Sequence, residues 1–231
     1  MNRPPRSTQA ADLPEAIKAT AWQQIAETGA ANLSLRAIAR ALNITAPAIY
    51  NYYPRRDDLV TALIVDAYTS FGDSQLSARD SLPAEEIIGR WQATGLAYRR
   101  WALAYPQRYQ LIFGAPIPSY EAPNEQILPA AARSMSALLS VVEALRQAGR
   151  LRARGFPQIS PGYQALLPAW RQCGGEADSL SLGVAIYIWS CVHGLVSLEL
   201  GGNLPPFGPD GNALYDYGMA ALTREFITEE A

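Results

Sequence analysis

The residues able to do chemistry in this 231-residue chain are hydrogen-bonding groups rather than reactive ones. It has one histidine, His193, and two cysteines, Cys173 and Cys191, whose spacing suggests neither a metal site nor a redox pair. No Gly-x-Ser-x-Gly, glycine-rich phosphate loop or His/Cys cluster occurs, so the expectation is no catalytic set, no metal and no cofactor. The polar groups crowd instead into one short stretch: Thr45, Tyr50, Asn51, Tyr52, Arg55 and Arg56, with Arg36 a little earlier. Hydroxyls and guanidinium groups bind phosphate, and an Asn carboxamide can bind a base edge.

The elements that must carry these groups lie between Ser34 and Tyr53. Ser34 suits an N-cap, and Leu35, Ile38, Ala39 and Leu42 fall on one helical face. Asn43 stands where a tight helix–helix turn needs left-handed backbone. Thr45 is a second N-cap candidate, and Pro47 falls in the next first turn, where a missing N–H costs little. Ala46, Pro47 and Ala48 keep that end slim enough for a groove of DNA. A helical hairpin that merely packs into a core is the alternative.

Composition adds modest support. The net charge is -2 and the pI about 5.5, so bulk charge does not announce a nucleic-acid partner. Residues 1–71 carry seven Lys/Arg against six Asp/Glu; residues 72–231 carry twelve against fifteen. The first part is thus slightly basic, and a few cations on one face suffice for phosphate contacts. The opening MNRPPRSTQAAD is polar and Pro-interrupted, unlike a signal peptide. The apolar run Leu180 to Leu200 contains Ser, His and Glu199, so it is expected as a buried or interface helix, not a membrane span. Reduced thiols and a cytoplasmic location are the expectation.

The run LSLRAIARALNITAPAIYNYYPRRDDLVTALI resembles the DNA-binding region of the TetR family of transcriptional regulators, over about Leu13 to Phe71. It departs from the family pattern at Asn43, where Gly is usual, and at Tyr52, where His is common. The stretches YPQRYQLIFG and IYIWSCVHGLVSLELGG resemble a TetR-type regulatory domain marked by Trp-x-x-x-His-Gly, here Trp189, His193 and Gly194.

The expected organisation is all-α. A flexible arm (1–11) precedes a three-helix helix-turn-helix DNA-binding domain (12–71) and a helical ligand-binding and dimerisation domain (72–231). Helices are expected at about 13–28, 55–71, 84–104, 124–148 (with Ile127, Leu128, Met135, Leu138, Leu139, Val142 and Leu145 inward), 164–172, 177–200 and 212–228, with the main boundary between Gly72 and Pro83. Arg3 and Arg6 of the arm could reach a minor groove. Thr45, Tyr50, Tyr52, Arg55 and Arg56 are candidates for phosphate, and Pro47, Ala48 and Asn51 for bases. Arg36 is a candidate for either. An aromatic stripe (Trp91, Tyr98, Trp101, Tyr105, Tyr109, Phe113) with Trp189 and His193 could fill core or line a cavity for a small, mostly apolar effector. The resemblance favours the cavity.

The apolar helix 177–200 needs a cover for a second face, which a homodimer supplies. The function expected is sequence-specific control of transcription, as a ligand-responsive repressor on a palindromic, double-stranded operator. The alternative is a helical small-molecule-binding or interaction protein whose hairpin is only structural. An enzyme built from carboxylates distant in sequence is a third reading, and its activity would survive removal of residues 1–71.

Overall fold

The computed structural model describes residues 6–153, 157, 159–165, 167–168, 177–202 and 211–228, with side chains from Leu13 onward. Among the described residues the regular structure is helical, apart from one isolated antiparallel bridge between Leu151 and Ile227. The helices are α1 (Arg6–Thr28), α2 (Leu35–Ala41), α3 (Ala46–Tyr50), α4 (Arg56–Asp80), α5 (Ile87–Ala104), α6 (Pro106–Phe113), α7 (Asn124–Gln147), α8 (Pro161–Gln164), α9 (Ser179–Leu200) and α10 (Asn212–Phe226). They form two compact units, 1–67 with 107–127 and 68–106 with 128–231.

In the first unit, Ile17, Ala21 and Ile25 of α1 are buried, as are Leu35, Ile38 and Ala39 of α2, Ile49 of α3 and Leu59 and Leu63 of α4. The helical spacing of these residues dictates the packing. Residues 107–127 join this unit. Arg108 lies over the Trp22 ring, 5.2 Å from its centroid, and the hydroxyls of Tyr120 and Thr61 are 2.9 Å apart.

In the second unit the aromatic stripe of α5 faces inward. Trp91, Tyr98 and Trp101 are buried, with Phe71 edge-on to Tyr98 at 4.8 Å and tilted to Trp101 at 4.9 Å. The Arg99 guanidinium meets the Glu199 carboxylate, with Nε to Oε2 at 2.7 Å. Both side chains are only 12% exposed. Helix α9 has the length and mean hydropathy (1.6) of a membrane span. Yet Leu182, Val184, Ala185, Ile188, Val192 and Val196 along it are buried in the protein.

Four expectations are corrected. Helix α1 starts at Arg6, so residues 6–11 of the expected arm are helical, and Arg3 lies outside the described residues. Pro14 sits inside the helix; it removes one donor without stopping the run.

Helix α4 continues through Gly72 to Asp80, so the composition change at Gly72 is not a helix end. A Cβ at Gly72 would lie 3.1 Å from Ser134 N and 3.2 Å from the Arg133 carbonyl carbon. The glycine allows α7 to come close; it does not break α4. Helix α8 begins at Pro161, where Ser160 caps it. Of the expected helix 164–172, residues 166 and 169–172 lie outside the described residues. Leu128, expected inward, is 48% exposed.

Candidate nucleic-acid interface and effector cavity

The hairpin begins as the sequence implies. Ser34 Oγ accepts from Ala37 N at 3.3 Å, and the Ser34 amide donates to Gln24 Oε1 of α1 at 2.7 Å. Asn43 closes the turn at φ 53, where Asn is less strained than other non-glycine residues. Its amide donates to Arg40 O at 3.1 Å, and that of Ile44 to Ala39 O at 3.0 Å. Thr45 is the N-cap of α3 in extended backbone, but its hydroxyl makes no cap bond.

With Ile49 buried, helix geometry turns the other side of α3 outward. Arg36, Thr45, Pro47, Tyr50, Asn51 and Tyr52 are exposed and Ala48 is half-buried. Among the described residues, no hydrogen bond holds the side-chain tips of Thr45, Tyr50, Asn51 or Tyr52. These exposed groups, on and at the two ends of α3, can accept an outside partner.

The two arginines after the hairpin differ. Arg55 is 77% exposed and pairs with Asp58, Nη2 to Oδ1 at 2.8 Å, which holds that carboxyl below its usual pKa. Solvent screens a surface pair of this kind to little net worth, so Arg55 can exchange it for a phosphate. Arg56 is half-buried. Its Nη2 donates to Ala30 O at 2.8 Å and Ala31 O at 3.1 Å, and Nη1 meets Asp57 at 3.4 Å. It ties the start of α4 to the turn between α1 and α2. The sequence placed Arg56 on phosphate; its hydrogen bonds go to the protein's own backbone. An arginine at a helix start gives no sequence signal of folding back to a carbonyl 26 residues earlier.

The second unit holds a cavity of about 20 Å³, lined by Gln75, Trp91, Thr94, Gly95, Tyr98, Ser134, Met135, Leu138, Ile188, Trp189, Val192 and Met219. Of the sequence candidates, Trp91, Tyr98 and Trp189 are on its wall. His193 stands behind it, stacked on Trp189 at 5.0 Å with Nδ1 2.9 Å from the Tyr98 hydroxyl. Burial lowers its pKa.

Trp101 is core instead, its Nε1 donating to Ser70 Oγ at 2.9 Å. Tyr105 is 44% exposed at the end of α5. Tyr109 and Phe113, 5.0 Å apart, belong to the first unit. The sequence analysis missed Gln75, Thr94, Met135 and Met219. Periodicity on α7 brought Met135 inward, but reading Gly72 as a boundary hid Gln75.

Comparisons with known proteins agree with this arrangement. Residues 17–63 match the family described as "Bacterial regulatory proteins, tetR family", and residues 91–222 match "Tetracyclin repressor-like, C-terminal domain". HTH-type transcriptional regulators from Mycobacterium tuberculosis and Mycobacterium bovis are 33% identical over 180 residues, 78% of this chain and 77% of theirs. The crystal structure of the regulatory protein SCO4313 is similar with a TM-score of 0.75 at 37% identity, covering 94% of this chain and 98% of that one. A TetR family regulator from Shewanella sp. PV-4 shares the fold, with a TM-score of 0.63 at 14% identity over 94% of this chain and 98% of its own. The chain therefore belongs to the TetR family: it is a helix-turn-helix, DNA-binding regulator of transcription.

Proposed function

We propose that the protein is a ligand-responsive repressor that binds a palindromic operator as a homodimer in the cytoplasm and has no enzymatic activity. The observation that carries this reading is the outward side of α3, where Thr45, Tyr50, Asn51 and Tyr52 are exposed while Ile49 anchors the helix. Thr45, Tyr50, Tyr52 and Arg55 hold phosphates. Pro47, Ala48 and Asn51 face bases, and Arg36 can reach either. Arg56 orients the hairpin. A single short recognition helix touches few base pairs, whereas two about 34–36 Å apart read two half-sites.

The last two helices supply the dimer contact. Tyr187 and Leu198 on α9 and Tyr217 on α10 are 51%, 45% and 76% exposed. A monomer in water gains nothing from exposing them. The effector binds in the second unit and favours a dimer whose recognition helices miss adjacent grooves. The coupling is reciprocal, so operator DNA weakens effector binding by the same factor.

The test is a titration of variants on operator and scrambled DNA. Tyr50→Phe weakens binding alike on every sequence, and Asn51→Ala changes which sequence is preferred. If Asn51→Ala and Ala48→Gly both leave sequence preference intact, α3 does not face bases.

A further inference from the structure

One side chain in the second unit, Met219 of α10, lines two spaces at once. On one side is the small cavity of about 20 Å³; on the other is a broad groove of about 940 Å³ between α5 and α10. Its methyl lies where α5 has no side chain: a Cβ on Gly95 would be 2.5 Å from Met219 Cε. Methionine has three rotatable bonds and moves among rotamers at low cost. The partition between groove and cavity is therefore a flexible thioether resting on bare backbone.

Inside the cavity one polar group stands out. Gln75 is 3% exposed. Its Nε2 donates to Phe71 O at 3.2 Å and reaches toward Ser134 O at 3.5 Å. Its Oε1 receives no hydrogen bond among the described residues. That oxygen is not sealed in protein: among the described residues no fully buried side-chain N or O lacks a partner, so Oε1 keeps some accessible surface and is free to meet a donor. The Thr94 hydroxyl is already used on Arg90 O, at 2.7 Å. The other hydroxyls on the wall are also engaged, Tyr98 with His193 Nδ1 at 2.9 Å and Ser134 Oγ on Ala131 O at 2.6 Å, and Trp91, Met135, Leu138 and Trp189 supply its apolar surface. A single ring needs a cavity of roughly 150 Å³, so a ring fits only when Met219 swings aside, and the groove gives the thioether somewhere to go.

We infer that the effector is a small apolar molecule with one hydrogen-bond donor, that it enters from the groove by displacing Met219, and that Gln75 Oε1 receives its donor. This rests on the reading of the cavity as the effector site. Trp91 and Trp189 flank the bound ring, so binding changes tryptophan fluorescence.

The probes are p-cresol and p-xylene, which share a shape and differ by hydroxyl against methyl. Binding is followed by tryptophan fluorescence excited at the red edge, where neither probe absorbs appreciably, and by calorimetry. In Gln75→Met the preference for p-cresol over p-xylene falls at least tenfold, while p-xylene binds as well as before. Gln75→Asn, which draws the oxygen back by one methylene, gives the same fall should Gln75→Met not fold. Met219→Ala speeds p-cresol association severalfold with little change in the probe preference.

An unchanged preference in a folded Gln75 variant overturns the role of Gln75. Failure of wild type and Met219→Ala to bind either probe up to its solubility overturns the site. Gln75-dependent binding that leaves operator binding intact supports the inference about the cavity and counts against the effector reading alone.

Discussion

Arg55 and Arg56 are neighbours with different work, and their substitutions separate two kinds of effect. Arg55 is mostly in water, where its pair with Asp58 is screened by solvent. Arg55→Ala therefore leaves stability close to that of wild type. It lowers the salt slope of operator binding by about 1, as loss of one phosphate contact does. Arg56 spends its guanidinium on two backbone carbonyls. Hydrogen bonds to charged groups are worth about 1.5–3 kcal/mol each at most, so Arg56→Ala costs on the order of 2 kcal/mol in urea unfolding. Its salt slope stays that of wild type. A slope drop in Arg56→Ala with unchanged stability would reverse the assignment.

The residue scale also fixes the acid limb of stability. Glu143 is held by Arg146 at 2.7 Å and accepts from Ser181 Oγ at 2.7 Å, so its pKa falls from 4.5 to about 2. A depressed carboxyl stabilises fully above about pH 4.5, and that stability is lost as pH falls toward about 2. His193 acts in a higher window. Burial lowers its pKa below 6.5, so the folded state resists protonation and stability declines as pH drops below 6.5. Urea melts from pH 7 to pH 3 check both. Glu143→Gln flattens the lower part of the profile, below about pH 4.5, and leaves the part near pH 6 unchanged.

At the scale of elements, much was legible. The spacing of Leu35, Ile38, Ala39 and Leu42 placed the first helix of the hairpin, and the position of Asn43 announced the left-handed turn. Asn43→Gly should be nearly neutral, while Asn43→Val, which resists positive φ, costs about 1–2 kcal/mol in a urea melt. What the sequence concealed was long-range. Gly72 reads as a helix breaker, yet its role is set by Ser134 on another helix. Gly72→Ala adds about 1 kcal/mol of helix propensity but presses a Cβ against backbone that must shift. Gly72→Val has the larger clash and lowers stability by about 1–3 kcal/mol.

The aromatic stripe was ambiguous for a related reason. Period 3.6 says which side of a helix faces inward, but not whether that side meets a wall or another side chain. Hence Trp91, Tyr98 and Trp189 line the cavity while Trp101 fills core.

At the scale of the molecule, the partly buried pair Arg99–Glu199 joins α5 to the end of α9, and Arg99 also lies over the Tyr215 ring at 5.2 Å. Glu199→Ala leaves that guanidinium without its partner, at a cost of about 1–3 kcal/mol; thermal unfolding of the variant checks this. The proposed dimer contact is tested by Tyr217→Glu and Leu198→Glu, which place charge on the exposed apolar surface. Sedimentation should show a shift from dimer to monomer and a matching loss of operator affinity, because half-site pairing and dimerisation are one requirement.

The most direct test of regulation by sequence-specific DNA binding is fluorescence anisotropy of the purified protein on DNA from immediately upstream of its own gene. Scrambled DNA is the comparison, over a salt series. The account predicts a preference of about 10³ or more, with one dimer per site, and a salt slope set by a handful of phosphate contacts. Absence of binding to either DNA at low salt would contradict it.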